Sequence, residues 1–221
     1  MTLYLSDLNR SPWRDLKYLW WFPVYVAIYL LCERLVTTEY WATQTPLDAL
    51  IPFCEWFVIP YCLWYPLLIA VGLWLLVRDR GGFRQYMDFL ALTFLGSAIV
   101  WLLVPNGQDL RPAFLADDNA FTRIVEFLYT ADTNTNVFPS VHVVGAVGAT
   151  LAIWKTPTLR NHRLVRWSVA ILAVLICLST VFIKQHAILD VAGGLALSLA
   201  VGLFVYEHNP LRWLRPLRHM E

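Results

Sequence analysis

Six stretches of the chain are apolar over lengths that match the hydrocarbon core of a bilayer, which a helix crosses in about 20 residues. They fall at roughly 19–35, 57–77, 87–103, 137–154, 167–183 and 187–206. A chain of 221 residues that is 58% hydrophobic, with a mean hydropathy of +0.54, is not a soluble globular protein. The expected fold is all-α: a polytopic membrane helix bundle of six transmembrane helices, forming one integral membrane domain over 1–221. The first run is short and interrupted by Pro23. The segment 41–56, with Pro46 and Pro52, reads as a stretch lying at the interface or re-entering rather than as a crossing.

Charge placement fixes an orientation. An even number of crossings leaves both termini on one side. On that side fall Arg10, Arg14, Lys17, Arg78, Arg80, Arg84, Lys155, Arg160, Arg163, Arg166, Arg212, Arg215 and Arg218. The other side carries only Arg34, Arg111, Arg123 and Lys184. Thirteen basic residues against four put the termini in the cytoplasm by the positive-inside rule, and the loop 104–136 outside. The expectation is a multi-pass protein of the cell membrane. The first 17 residues carry both signs of charge and no small-residue cleavage site follows them, so the first run reads as an uncleaved anchor. Net charge is only +1, so total charge says nothing about partners, and no nucleic-acid partner is expected. Cys32, Cys54, Cys62 and Cys177 are scattered through apolar runs without CxxC spacing and read as core residues. Most tryptophans stand near the ends of the runs, as interfacial belts do.

Polar interruptions occur where two of these runs begin on the outer side. Phe138-Pro139-Ser140-Val141-His142 opens the fourth, and Lys184-Gln185-His186-Ala187-Ile188-Leu189-Asp190 leads into the sixth. Ionisable groups at membrane depth are costly and face a protein interior or a water-filled cavity. His186 and Asp190, four positions apart, share one face if both are helical. A carboxylate there would fix the histidine tautomer and stabilise its cation, the logic of a base and its orienting group. The pair alone also fits a buried ion pair that locks helices together.

His142 adds a second imidazole, a group whose ordinary pKa suits general acid catalysis. Pro139 is expected in the first turn of the fourth helix, whose N–H groups would face an anion. Ser140 adds a hydroxyl, although Pro-Ser by itself is an ordinary helix start. Arg111, followed by Pro112 in the outer loop, supplies a fork that matches phosphate oxygens. Lys184 supplies either a second cation or a snorkelling side chain at a helix end. Two histidines and an aspartate could hold a metal, but a Pro-Ser helix start and an arginine suit an anion better. No metal and no cofactor are expected.

These residues resemble the type 2 phosphatidic acid phosphatase (PAP2) superfamily, whose motifs are Lys-x6-Arg-Pro, Pro-Ser-x-His and Ser-Arg-x5-His-x3-Asp. The second stands here as Pro139-Ser140-Val141-His142, and the third runs from Ser179 through His186 to Asp190. The first survives as Arg111-Pro112, with Val104 where the family has lysine; Thr180 replaces the arginine of the third. The resemblance covers about 57–206. The His-x3-Asp element, together with a Pro-Ser-x-His that lacks glycine, is also similar to the branch of inositol phosphorylceramide and sphingomyelin synthases.

By resemblance, His186 is the nucleophile that forms a phosphohistidine, Asp190 stabilises it, and His142 is the acid and then the base. Arg111, Ser140 and Lys184 would hold the phosphate. The substrate would be a phosphorylated lipid whose tails stay in the bilayer, with the active site on the exoplasmic side. The reaction is then hydrolysis of a lipid phosphate or diphosphate, or transfer of a phospho-headgroup to an alcohol. A non-catalytic or transport protein is the third class, suggested by the missing clamps.

Overall fold

The structure, a computed structural model, describes residues 12–35, 39–115 and 118–208. Its helices are α1 (Trp21–Leu35), α2 (Val58–Cys62), α3 (Trp64–Arg78) and α4 (Arg80–Leu103). They continue with α5 (Ala120–Ala131), α6 (Val141–Lys155), α7 (Arg163–Phe182) and α8 (Ile188–Gly202). A π turn over Leu203–His208 extends α8. Among the described residues, extended pairing is confined to β1 (Trp41–Ala42) lying parallel to β2 (Asn106–Gly107), and to a bridge from Gly107 to Thr135. The fold is all-α, as expected.

Among the described residues, four helices are long and apolar enough to cross a membrane: Glu55–Arg78, which contains α2 and α3, then Arg80–Leu103, Arg163–Phe182 and Ile188–Glu207. The other two expected crossings are shorter. Helices α1 and α6 have 15 residues each, about 22 Å of helix against about 30 Å of hydrocarbon. Pro23 does not break α1. It is the third residue of that helix, where the backbone N–H has no intrahelical partner to lose.

Helix α6 starts later than the apolar run because the run's first residues are held out of the helix by a side chain. Asn106 Oδ1 accepts from the N–H groups of Val137 at 2.9 Å and Phe138 at 2.8 Å. The Phe138–Pro139 peptide is cis, and Ser140 is the N-cap. Pro139 therefore precedes the helix and does not occupy its first turn.

Helix α6 is the centre of the bundle and packs against α3, α4, α7 and α8. Its small side chains make this possible, because close helix approach in membranes depends on them. A Cβ at Gly145 would stand 2.6 Å from Trp64 Nε1. Helix α1 docks on α4 through aromatic rings: Trp21 and Tyr25 meet Phe94 at 5.4 and 5.0 Å. Ile69, Leu73, Ile171, Val174, Leu195 and Leu199 remain exposed on the outside, as side chains that meet lipid must.

The chain alternates in direction, so the helix termini gather into two ends. At one end Tyr29 donates to Asp132 at 2.7 Å. There the Cys54 N–H also reaches the Phe182 carbonyl at 3.0 Å, and the Ser140 N–H reaches Asp190 O at 3.1 Å. The amphipathic α5 lies at this end. Asn119 caps it by accepting from the N–H groups of Phe121 and Thr122, and Val125 is buried with Val58, Tyr61 and Ile183. At the other end Asp15 takes Arg80 and Arg84, each at 2.8 Å, and Lys155 pairs with Glu207. The arginines at 160, 163 and 166 lie there too, around the start of α7.

Candidate active site

The two histidines meet at the first of these ends. His142 is the second residue of α6, and its Nδ1 stands 3.4 Å from His186 Nε2. The His142 ring is stacked on Tyr61 at 4.4 Å and tilted against Trp64 at 4.6 Å, which fixes its orientation. Both imidazoles are only 6% exposed.

His186 is not on the helix that carries Asp190, so the expectation of a shared helical face is corrected. Helix α8 begins at Ile188, with Ala187 as its N-cap and Asp190 as its third residue. The Asp190 carboxylate turns back to accept the Ala187 N–H at 2.8 Å, and that capping bond aims it at the turn holding His186. The result is an approach of 3.5 Å between His186 Nδ1 and Asp190 Oδ2. This is an ion-pair distance without hydrogen-bond alignment, since Nδ1 and Asp190 Oδ1 both lack a hydrogen-bond partner among the described residues.

The direction of the hydrogen bond between the rings depends on the tautomers. If His186 holds its proton on Nδ1, toward Asp190, its bare Nε2 faces His142, and His142 Nδ1 then carries the proton between the rings.

The turn that presents His186 is laced from three directions. The Thr180 carbonyl accepts from the N–H groups of Gln185 and His186 at 2.9 and 3.0 Å. Gln108 Nε2 donates to Lys184 O at 3.0 Å, and the Tyr129 hydroxyl to Ile183 O at 2.7 Å. From the segment after β1, Asp48 Oδ1 accepts the Ile188 N–H at 2.7 Å. Lys184 sits in this turn with φ 54°. Its ammonium donates to the carbonyls of Asp48 at 3.0 Å and Ile51 at 2.6 Å. Burial lowers its pKa, and the Asp48 charge partly restores it. The structure therefore engages this ammonium with the 46–51 segment.

Arg111 is also engaged. It donates to the carbonyls of Tyr129 and Asp132 at 3.0 Å, to that of Thr133 at 2.7 Å, and to Gln185 Oε1. Its guanidinium lies 4.5 Å from the centre of the Tyr129 ring. Burial lowers its pKa, while Asp132 and Tyr129 raise it. Asp132 is a further carboxylate at this end. Burial raises its pKa, against the lowering effects of Tyr29, His186 and Arg111. Thr180, at the position of the missing family arginine, donates its hydroxyl to Cys177 O at 2.8 Å.

Several buried donors around the histidines have no hydrogen-bond partner among the described residues. They are Ser140 Oγ, Gln185 Nε2 and Arg111 Nε. Buried polar groups are nearly always hydrogen-bonded, so each such exception calls for an explanation. Ser140 is fully buried, and its hydroxyl makes no cap bond to α6. The first N–H groups of that helix are donors as well. Donors in excess of acceptors suit an anion with several oxygens. Among the described residues, no group of three or more His, Cys, Asp or Glu side chains is arranged to hold a metal ion.

Tyr61, Trp64, Asp48 and Gln185 were not singled out in the sequence. Trp64 read with the other tryptophans as part of an interfacial belt, and Asp48 lay in a proline-bounded segment with no partner in view. Gln185 had the one available signal, its place between Lys184 and His186.

No curated protein and no solved structure matches the chain. A family model described as the PAP2 superfamily matches residues 85–213, which includes Arg111, Ser140, His142, His186 and Asp190. That match spans more than half of the chain, and the chain belongs to the PAP2 superfamily.

Proposed function

We propose that this protein is a membrane lipid phosphatase that hydrolyses a lipid phosphate or diphosphate through a phosphohistidine on His186. The observation that carries the reading is the 3.4 Å approach of His142 Nδ1 to His186 Nε2, in a buried setting with Asp190 behind His186. To admit the phosphoryl group the two rings part from this 3.4 Å contact, His186 Nε2 facing phosphorus and His142 Nδ1 the departing oxygen. Nε2 attacks phosphorus, the P–O bond to the lipid breaks, and the departing oxygen takes the proton from His142 Nδ1. His142, now a base, removes a proton from water, which attacks the phosphohistidine. Phosphate leaves, and Nε2 is regenerated.

Ser140 Oγ, Arg111 Nε and the first N–H groups of α6 stabilise the equatorial oxygens, the dominant contribution in phosphoryl transfer. Gln185 joins this set through Nε2 and holds Arg111 through Oε1. Lys184 acts indirectly, by holding the 46–51 segment against the His186 turn, and not as a clamp on phosphate.

The supporting topology is six crossings, with α1 and α6 as the short ones, both termini in the cytoplasm and the histidines on the exoplasmic side. The segregation of basic residues toward the opposite end supports this orientation. A cysteine introduced in loop 104–136 should react with a membrane-impermeant thiol reagent in intact cells, and one in 156–165 should not. The reverse pattern would overturn the orientation.

The chemical test is acid-quench trapping of labelled phosphate, together with rates on good and poor leaving groups. His186→Ala should abolish turnover and the trapped label. His142→Ala should lose about 10²–10⁴-fold on lipid substrates, and much less on a nitrophenyl phosphate whose leaving group needs no proton. Label persisting in His186→Ala, or equal losses on both substrates in His142→Ala, would refute the assigned roles. A new phosphodiester formed in place of free phosphate would instead identify the transferase.

A further inference from the structure

At the end of the bundle remote from the histidines, a cleft of about 400 Å³ is lined by Trp154, Arg160, Asn161, Arg163, Arg166 and Trp167. The length of α6, about 22 Å, separates it from His142. Arg166 is half-buried there, its guanidinium carbon 4.1 Å from the centre of the Trp154 ring. The Trp154 Nε1–H donates back to Arg166 O at 3.2 Å, and Trp167 meets Trp154 edge-on at 5.3 Å. Arg166 spends one N–H on the Arg160 carbonyl at 3.1 Å, while its buried Nε has no partner.

Among the described residues the cleft lacks a counter-charge. Neighbouring basic residues of the same end are matched: Arg80 and Arg84 share Asp15, and Lys155 takes Glu207. Among the described residues, no carboxylate pairs with Arg160, Arg163 or Arg166. His162, the N-cap of α7, makes no side-chain bond to the first turn, so the helix dipole adds to the positive field. A general surplus of cytoplasmic arginine would leave these side chains separate and solvated. Here one is stacked on an indole and partly desolvated with an unused donor, the arrangement that favours arginine for phosphate recognition.

We propose that this cleft is an anion site, distinct from the histidine site, for the phosphate of an anionic lipid headgroup or of a soluble phosphate ester. Indole rings of this kind mark headgroup depth, and basic pockets between helices at that level accept lipid phosphates. The guanidinium groups would engage the phosphate oxygens, and Asn161 would contribute its amide.

The test uses the full chain. In phosphatidylcholine nanodiscs with and without phosphatidylglycerol, lipid retained by the protein is counted by native mass spectrometry. In neutral detergent, binding of inorganic phosphate and glycerol 3-phosphate is measured by calorimetry. Wild type should retain phosphatidylglycerol over phosphatidylcholine, or bind the soluble phosphates, and the arm that responds identifies the source. Arg160→Gln and Arg163→Gln should each weaken binding about fivefold, with unchanged melting temperature because both residues are exposed. Because the histidine site also takes phosphate, only the binding lost in the double Arg160→Gln, Arg163→Gln variant is assigned to this cleft. The proposal is overturned if wild type binds in neither arm, if the double variant binds as wild type does, or if wild-type retention is insensitive to salt.

Discussion

Ser140→Ala should move stability and activity in opposite directions. The Ser140 side chain is fully buried, and its Oγ has no hydrogen-bond partner. Burying a hydroxyl without a partner costs about 1–3 kcal/mol. Both backbone bonds of this residue, from its N–H to Asp190 O and from the Val144 N–H to its carbonyl, survive the substitution. Removing the oxygen should therefore leave the folded protein as stable as before, or more stable by up to about that amount. Turnover should behave differently. If the hydroxyl donates to an equatorial phosphoryl oxygen only as charge develops, its loss should cost about 10²–10³ in kcat, as for other preorganised donors. The assay is thermal unfolding in micelles alongside phosphate release at saturating lipid. A variant that melts earlier and loses activity in proportion would show that the hydroxyl is structural. A variant unchanged in both would remove Ser140 from the phosphate site.

Lys184→Met leaves the carbonyls of Asp48 and Ile51 without their donor, so it should destabilise the protein by about 1–3 kcal/mol. The fraction that remains folded should keep most of its turnover, and a lost kcat in fully folded protein would restore Lys184 as a phosphate clamp. Gly145→Ala drives a Cβ to 2.6 Å from Trp64 Nε1. The overpacking should cost about 1–3 kcal/mol and disturb the ring that holds His142, whereas Gly81→Ala, whose Cβ would meet Asp79 Oδ1 at 3.5 Å, should be nearly neutral; equal melting shifts would refute the packing argument. Asp132 has a pKa raised by burial, so the folded state holds its proton more tightly than the unfolded one. Its unfavourable contribution is absent near the ordinary carboxylate pKa and accumulates as pH rises through the folded value. Asp132→Asn keeps an acceptor for Tyr29 and should therefore gain stability over wild type at neutral pH, but not near pH 4; a variant less stable at neutral pH would contradict this.

The helices were legible because apolar length is a local property. Each long crossing lies where its run of side chains predicted. The edges were not legible, because they depend on side chains from elsewhere. Helix α6 starts at Val141 because Asn106, some thirty residues earlier, takes the N–H groups of Val137 and Phe138. His186 and Asp190 were found by their chemistry and spacing, but the geometry that joins them is a capping bond, which a helical-face argument does not contain. Arg111 was read as a phosphate fork, and Lys184 as either a second cation or a snorkelling side chain, without their carbonyl partners, because a sequence shows charge and not its competitors. Those competitors are backbone carbonyls, which every residue carries and no composition reveals.

The bonds from Asp48 to the start of α8, and the rings of Tyr61 and Trp64 against His142, come from residues that precede the family-matched stretch beginning at residue 85. The stretch that the family model matches and the unit that assembles are therefore different lengths. A fragment cut at the family boundary would retain every motif residue, yet His142 would lose its aromatic supports and the His186 turn its tether. Grafting this chemistry onto another scaffold would require carrying that upstream brace as well.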